Sequence, residues 1–299
     1  MSRTSAGKHP DESVGRASAA VAAGSMASRV LGVVRQSLIT LAIGQGLVAN
    51  AFTTANTLPN VIYLLIAGGV LNSVLVPHLV KAAENPDGGR DYTDRLMTVA
   101  VAGLLVVTVG ATLAAGWLVR AYAQDLSGSL LDLAVFFAVI TLPQIFFYGV
   151  YALISQVLNT RGRFAAAGWA PAIANLVAII GLTAFIIMFQ GHVSAAEWTP
   201  TMVWWFAGTA TLSIVAQAAI LFVPLWRSGF RWRPRFGLRG SGLGSTTREA
   251  GWALGALVVL QLGYLVASQV MWHATGSDEA AYRAGQAFVA GTTIYANAY

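Results

Sequence analysis

The chain has 299 residues, of which 56% are hydrophobic and only 10% charged, with a formal net charge of +6. A soluble domain carries about 25% charged residues, so this composition excludes an ordinary soluble fold and predicts an all-α, polytopic membrane protein. The absence of cysteine excludes disulfides, thiolate nucleophiles, zinc–thiolate sites and cysteine-held iron–sulfur clusters.

Residues 1–16 are polar and read as a cytoplasmic tail, with no short apolar region that would mark a cleaved signal. The first apolar span, 17–43, contains Arg29 and Arg35 and no Asp or Glu to neutralise them. Each such charge costs roughly 2.5–3.5 kcal/mol near the middle of a membrane helix. Arg35, nearer the far end of the span, could reach partly toward headgroups. Arg29 lies too deep to reach either surface, at roughly 18 Å of helical rise from the span's start. Six positions apart, the two project about 120° from each other and about 9 Å along the axis, which suits one cavity wall. The pair predicts a wet cavity with an anionic guest, and guanidinium forks match phosphate oxygens.

The second span, 47–80, would be roughly 51 Å long as a straight helix, more than a hydrocarbon core of about 30 Å. Its interior holds the means to bend: Asn50, Asn56, Pro59, Asn60, the pair Gly68 and Gly69, and Pro77. Pro59, Gly68 and Gly69 are the expected hinge, and Asn50 and Asn60 are candidates to line the cavity with the arginines. Further spans are expected at 96–119, 131–157, 165–189, 201–225 and 250–273. Pro143 with Gln144, and Pro171 with Asn175, repeat the pattern of broken helices, which favours moving parts of a transporter over static kinks. The amides Gln156, Asn175, Gln217, Gln261 and Gln269 are expected to bond between helices. An eighth span opens near Tyr282, leaving 18 residues to Tyr299 without a closing polar segment, so the chain is expected to stop inside a further helix.

With the amino terminus in the cytoplasm, 14 of the 18 Lys and Arg residues fall on inside segments, which orients the chain by the positive-inside rule. The basic loop 226–249, running from Arg227 to Arg248, divides the first six spans from the seventh and eighth. It reads as an anchor on anionic headgroups, with docking of a protein partner as the other reading. No zinc-finger or RNA-stacking signature accompanies the basic charge, so no nucleic-acid partner is expected. His9, His78, His192 and His273 are scattered, and no HExxH, GxSxG or P-loop pattern occurs. The expectation is a non-enzyme without cofactor or metal.

Three runs, SRVLGVVRQ from Ser28 to Gln36, NAFTTANTLPN from Asn50 to Asn60, and LNTRGRFAAAGWAPAIAN from Leu158 to Asn175, resemble the MviN/MurJ family of lipid II flippases, within the multidrug/oligosaccharidyl-lipid/polysaccharide exporter superfamily. The resemblance covers residues 17–225 and extends more weakly through the seventh span. It implies two pseudo-symmetric six-helix lobes around a cationic cavity. Here that means a first lobe at 17–225, the basic loop at 226–249, and one to two helices of a second lobe at 250–299. It places Arg29 and Arg35 on family cavity arginines. Tyr63 and Leu64 stand where a further cavity arginine is usual, Asn50 where an acidic residue is common, and YANAY at Tyr295–Tyr299 lacks the arginine of the eighth helix. These departures imply a less basic cavity.

The function implied is translocation of the undecaprenyl-diphosphate-linked peptidoglycan precursor from the inner to the outer leaflet of the bacterial cytoplasmic membrane by alternating access. The precursor and membrane lipids are the implied partners, and cell-wall synthesis proteins could join through the basic loop. A polysaccharide-lipid or drug exporter of the same superfamily, and a non-transporting cell-wall scaffold, are the alternatives. A drug antiporter would favour acidic groups for cationic guests, and the first span has none.

Overall fold

The computed structural model describes residues 10–44, 46–66, 90–123, 126–189 and 195–235, with isolated helical positions between 255 and 270. The order is α1 (Pro10–Ile43), α2 (Leu47–Ile66), α3 (Arg90–Leu113), α4 (Ala115–Tyr122), α5 (Gly128–Thr141), α6 (Gln144–Asn159), α7 (Phe164–Met188), a 3-10 turn at Ala195–Glu197, α8 (Pro200–Ala219) and α9 (Phe222–Arg227). Five stretches among the described residues are long and apolar enough to cross a membrane: Ser18–Ile43, Arg90–Leu113, Gly128–Asn159, Phe164–Met188 and Pro200–Arg227. The protein is an all-α, polytopic membrane protein.

These stretches correspond to the first and the third to sixth expected spans. The first helix starts earlier than expected, at Pro10, a residue whose fixed φ suits a first helical turn. The second expected span is helical over Leu47–Ile66. Its remainder, including Gly68, Gly69 and Pro77, lies outside the described residues, as does the eighth span. Of the seventh, Gly255, Val259, Leu262, Gly263, Val266, Ala267 and Val270 are helical.

Two prolines lie inside helices of this bundle, and the carbonyl that each frees finds a partner. Pro59 sits inside α2 and cannot donate to the carbonyl four residues back, that of Ala55. The Thr141 hydroxyl, at the end of α5, donates to that carbonyl at 3.0 Å. Pro171 inside α7 frees the carbonyl of Ala167, and the Tyr151 hydroxyl from α6 donates to it at 3.1 Å. The break at Leu142–Pro143 between α5 and α6 leaves the Ile140 carbonyl to the Thr211 hydroxyl of α8 at 2.8 Å. The carbonyls freed by Pro59 and Pro171 are thus each satisfied by a neighbouring helix, as hydrocarbon demands.

Small residues bring α1 and α7 together. A Cβ on Gly24 would lie 2.7 Å from the Gly168 carbonyl oxygen, so the helices pack backbone to backbone, the association expected where lipid supplies no hydrophobic drive. The Asn175 amide crosses this seam to the Ser28 carbonyl at 2.8 Å and hydroxyl at 3.2 Å. The Trp169 indole donates to the Ala20 carbonyl at 3.1 Å. Away from the arginine-rich end, Phe52, Phe137, Phe185, Trp198 and Phe206 interlock, with edge-to-face pairs at 4.7 Å (Phe52–Phe206) and 5.2 Å (Phe137–Trp198).

The arginine-rich end is closed by the segment after α9. Arg90, Arg161 and Arg163 donate to the carbonyls of Gly229 (2.7 Å), Ser228 (3.3 Å) and Arg227 (3.2 Å). Three guanidiniums therefore cover the exposed acceptors at the carboxy end of a helix, where positive charge also complements the helix dipole. Arg161 stacks over the Phe230 ring at 4.9 Å. Its partial burial, and after that the neighbouring Arg90, pull its pKa below the usual arginine range. The turn that presents Arg161 and Arg163 needs Gly162 at φ +69°, a conformation glycine adopts freely. Beyond Gly229 the chain crosses α3. The Arg233 amide donates to Asp94 Oδ1 at 3.1 Å, and the Arg235 amide to the Thr98 hydroxyl at 3.0 Å. Arg235 also pairs with Asp91, which holds Arg95 at 2.8 Å.

Candidate functional site

A cavity of about 180 Å³ opens between α1, α2, α6, α7 and α8. α1 contributes Arg35, Gln36 and Ile39, α2 contributes Phe52, Thr53, Asn56 and Thr57, and α6 contributes Gln144 and Tyr148. Thr209 and Ser213 of α8 complete the polar lining, with Leu182 and Phe206 on its apolar side. It is large enough for several waters or a small anionic group.

The bend at Pro143 is what presents Gln144. Its Nε2 donates to Thr211 Oγ1 at 3.1 Å and to Asn56 Oδ1 at 3.4 Å, so one amide ties α6 to both α8 and α2 at the cavity wall. Tyr148, one turn further, stacks on Tyr63 of α2 with ring centroids 5.4 Å apart. Arg35 enters from α1 and is half-buried. Its Nε is fully buried and has no hydrogen-bond partner among the described residues. No Asp or Glu among the described residues lines the cavity. An uncompensated cation surrounded by neutral hydroxyls and amides favours an anion or ordered water beside it.

Of the described residues singled out from sequence as site or hinge, Arg35 alone lines this cavity. Arg29 is exposed, on the side of α1 that also exposes Met26 (70%) and Val33 (69%), so the two arginines do not share the cavity inside the described helices. Asn50 is wholly buried in the first turn of α2 and takes part in the packing there, away from the cavity lining. Asn60 is exposed. Pro59 is buried within α2, with its freed carbonyl taken by Thr141. Gly68 and Gly69 lie outside the described residues. Sequence reasoning placed Gln144 and Asn56 only among helix breaks and did not assign Gln36, Tyr148, Thr209 or Ser213 to a site. The signal that could have found them is the recurrence of hydroxyl and amide residues in otherwise apolar spans, one of them next to Pro143.

Residues 39–282 match the family described as lipid II flippase MurJ. A probable lipid II flippase of Rhizobium tropici is 29% identical, over 72% of this chain and 40% of the relative. A lipid II flippase of Burkholderia cenocepacia is 34% identical, over 57% of this chain and 34% of the relative. Among solved structures, a lipid II flippase in an inward closed conformation superposes with a TM-score of 0.63 at 18% identity, covering 84% of this chain and 50% of that one. The chain thus spans less than half the length of these two curated relatives. With a matching family over most of its length and the same helical fold, the chain belongs to the lipid II flippase MurJ family.

Proposed function

We propose that this chain forms the first lobe, and the opening of the second, of a flippase. Its cargo is the diphosphate-linked lipid precursor of peptidoglycan, carried from the inner to the outer leaflet of the bacterial inner membrane. The observation that carries the reading is Arg35: a guanidinium with a buried, unpartnered Nε in a polar cavity between membrane helices, in a member of this family. A diphosphate is the ligand chemistry that such a group grips best, because its oxygens match the guanidinium fork. The family's name denotes a transporter, and the reading is of transport without catalysis.

Arg29 belongs to the same reading through a different face. It sits on the exposed side of α1, where a second lobe would pack and where a cavity between lobes would lie. Asn60 is exposed in the later part of α2, and the proposal assigns it to the same route. Asn50, buried, would act by holding the start of α2 in place. In this scheme the diphosphate moves along the arginines while the polyprenyl tail stays in lipid, and rocking of the lobes exposes the head group outside. The lobe comprises 17–225 with the segment up to Arg235 packed against it. The amino terminus is cytoplasmic, because that places most of the arginines inside. Docking of cell-wall synthesis proteins would fall to the part of the basic loop beyond Arg235.

The test is to deplete the gene product in its bacterium and label lipid-linked precursor from outside the cell. Outside labelling should fall while precursor accumulates inside, and wild-type protein should restore it. A variant with Arg35→Ala, made at normal level, should restore at most a few per cent, since losing about 2 kcal/mol of a charge-assisted contact reduces turnover roughly 30-fold. Full restoration by Arg35→Ala would sink the role of the cavity; unchanged labelling on depletion would sink the flippase reading itself.

A further inference from the structure

A second cavity, of about 210 Å³, lies between α3, α6 and the α8–α9 pair and shares no lining residue with the cavity at Arg35. Its wall is wholly apolar, built from side chains such as Met97, Phe147, Val150 and Phe222. Phe147, Val150 and Phe222 are only half-buried, so the space is not sealed inside the bundle. A dry pocket of this kind is filled by hydrocarbon in preference to water, because water would find no polar partner there.

What lies at its edge is not apolar. Trp232, from the segment that crosses α3, lines the cavity, and its indole nitrogen is held by the Thr98 hydroxyl at 3.3 Å and the Asp94 carbonyl at 3.4 Å. Those bonds fix the ring over the pocket and leave the residues on either side, Arg231 and Arg233, exposed. Other arginines at this end are engaged, Arg90, Arg161 and Arg163 with carbonyls and Arg95 and Arg235 with Asp91, while Arg227 at the end of α9 is exposed. Among the described residues, the guanidiniums of Arg231 and Arg233 have no hydrogen-bond or ion-pair partner. Two free cations therefore flank an aromatic ring that roofs a hydrocarbon-lined slot, at the end of a membrane bundle where headgroups lie. A tryptophan at that depth is in its preferred interfacial position.

We propose that this slot and the two arginines bind one anionic phospholipid of the leaflet on the arginine-rich side: an acyl chain enters the apolar cavity beneath Trp232, and the phosphate sits at Arg231 and Arg233. The site is separate from the route of the flipped head group. It would make the fit of the segment after α9 onto α3 depend on the lipid around it.

The test uses the full chain reconstituted in phosphatidylcholine vesicles that contain a minor fraction of lipid brominated along its acyl chains, carried either on phosphatidylglycerol or on phosphatidylcholine. Bromine quenches indole fluorescence on contact, and the Trp232 signal is the difference between wild type and Trp232→Phe. Brominated phosphatidylglycerol should quench that signal more strongly, with a binding preference of about fivefold for each arginine near the surface, falling as salt is raised. The double variant Arg231→Ala/Arg233→Ala should lose most of the preference while keeping wild-type quenching by brominated phosphatidylcholine, which shows that the chain is still folded in the bilayer. Val150→Phe, which fills the slot, should weaken quenching by both lipids. Equal quenching by the two lipids in wild type, a preference that survives the double variant, or a Trp232 signal blind to both would each overturn the proposal. None of these outcomes depends on whether the precursor is flipped.

Discussion

A hydroxyl placed opposite a proline does in this molecule what a backbone amide does elsewhere. Thr141 is fully buried and donates to the one α2 carbonyl that Pro59 cannot serve. Thr141→Val keeps the shape and removes the donor, and it should lower the unfolding free energy by about 1 kcal/mol, read as a lower Tm in detergent. Thr112→Val is the control, since Thr112 bonds only within its own helix, to the Thr108 carbonyl at 2.8 Å; an equal loss there would show that the cross-helix bond is not special. Arg35 was legible at this scale because a cation in an acid-free apolar span declares itself. That Arg29 stays outside this cavity's lining among the described helices was not, because the helical angle between two residues says nothing about which side of the helix the neighbours occupy. Gln144 was hidden for a different reason: an amide in a membrane span is usually a helix–helix contact, and this one is both that contact and a cavity wall.

At the level of helices, apolar run length located five crossing stretches, because about 20 apolar residues is a physical requirement of the bilayer. Boundaries were less legible. Pro10 begins α1 well before the apolar run starts, since polar residues continue a helix into the aqueous layer at little cost. The prolines at 59 and 171 were read as breaks, yet α2 and α7 run through them, a result that depends on partners 82 residues on and 20 residues back in sequence. The α1–α7 seam is open to a clean test because the chain has no native cysteine. Ser28→Cys with Asn175→Cys should form a disulfide under mild oxidation, given side chains already in hydrogen-bond contact. Adding Gly24→Leu, whose side chain would collide with the Gly168 carbonyl, should cut that yield several-fold. An unchanged yield would mean that the helices meet some other way.

Over the whole molecule, the described helices pack into a bundle whose arginine-rich end is closed by residues 228–235. From sequence, this stretch was simply the start of a basic loop on headgroups. Nothing in its composition announces that Arg90, Arg161 and Arg163, far away in the chain, reach its carbonyls, nor that Asp94 takes its backbone. Asp94→Ala should loosen the segment, and trypsin should cut after Arg231 roughly tenfold faster in detergent while the helices stay intact by circular dichroism. Equal cleavage rates would show that the segment does not depend on Asp94. Its attachment also shortens a leash. Between the sixth span and the seventh, the basic loop runs to Arg248, but with residues up to Arg235 fastened to α3 only 236–248 remain to bridge the gap. Fully extended, that stretch reaches at most about 45 Å, against about 70 Å if the chain were free from Arg227 onward. Fastening Arg235 to α3 therefore takes about 25 Å of reach out of the connection to the seventh span, a limit set by chain length alone.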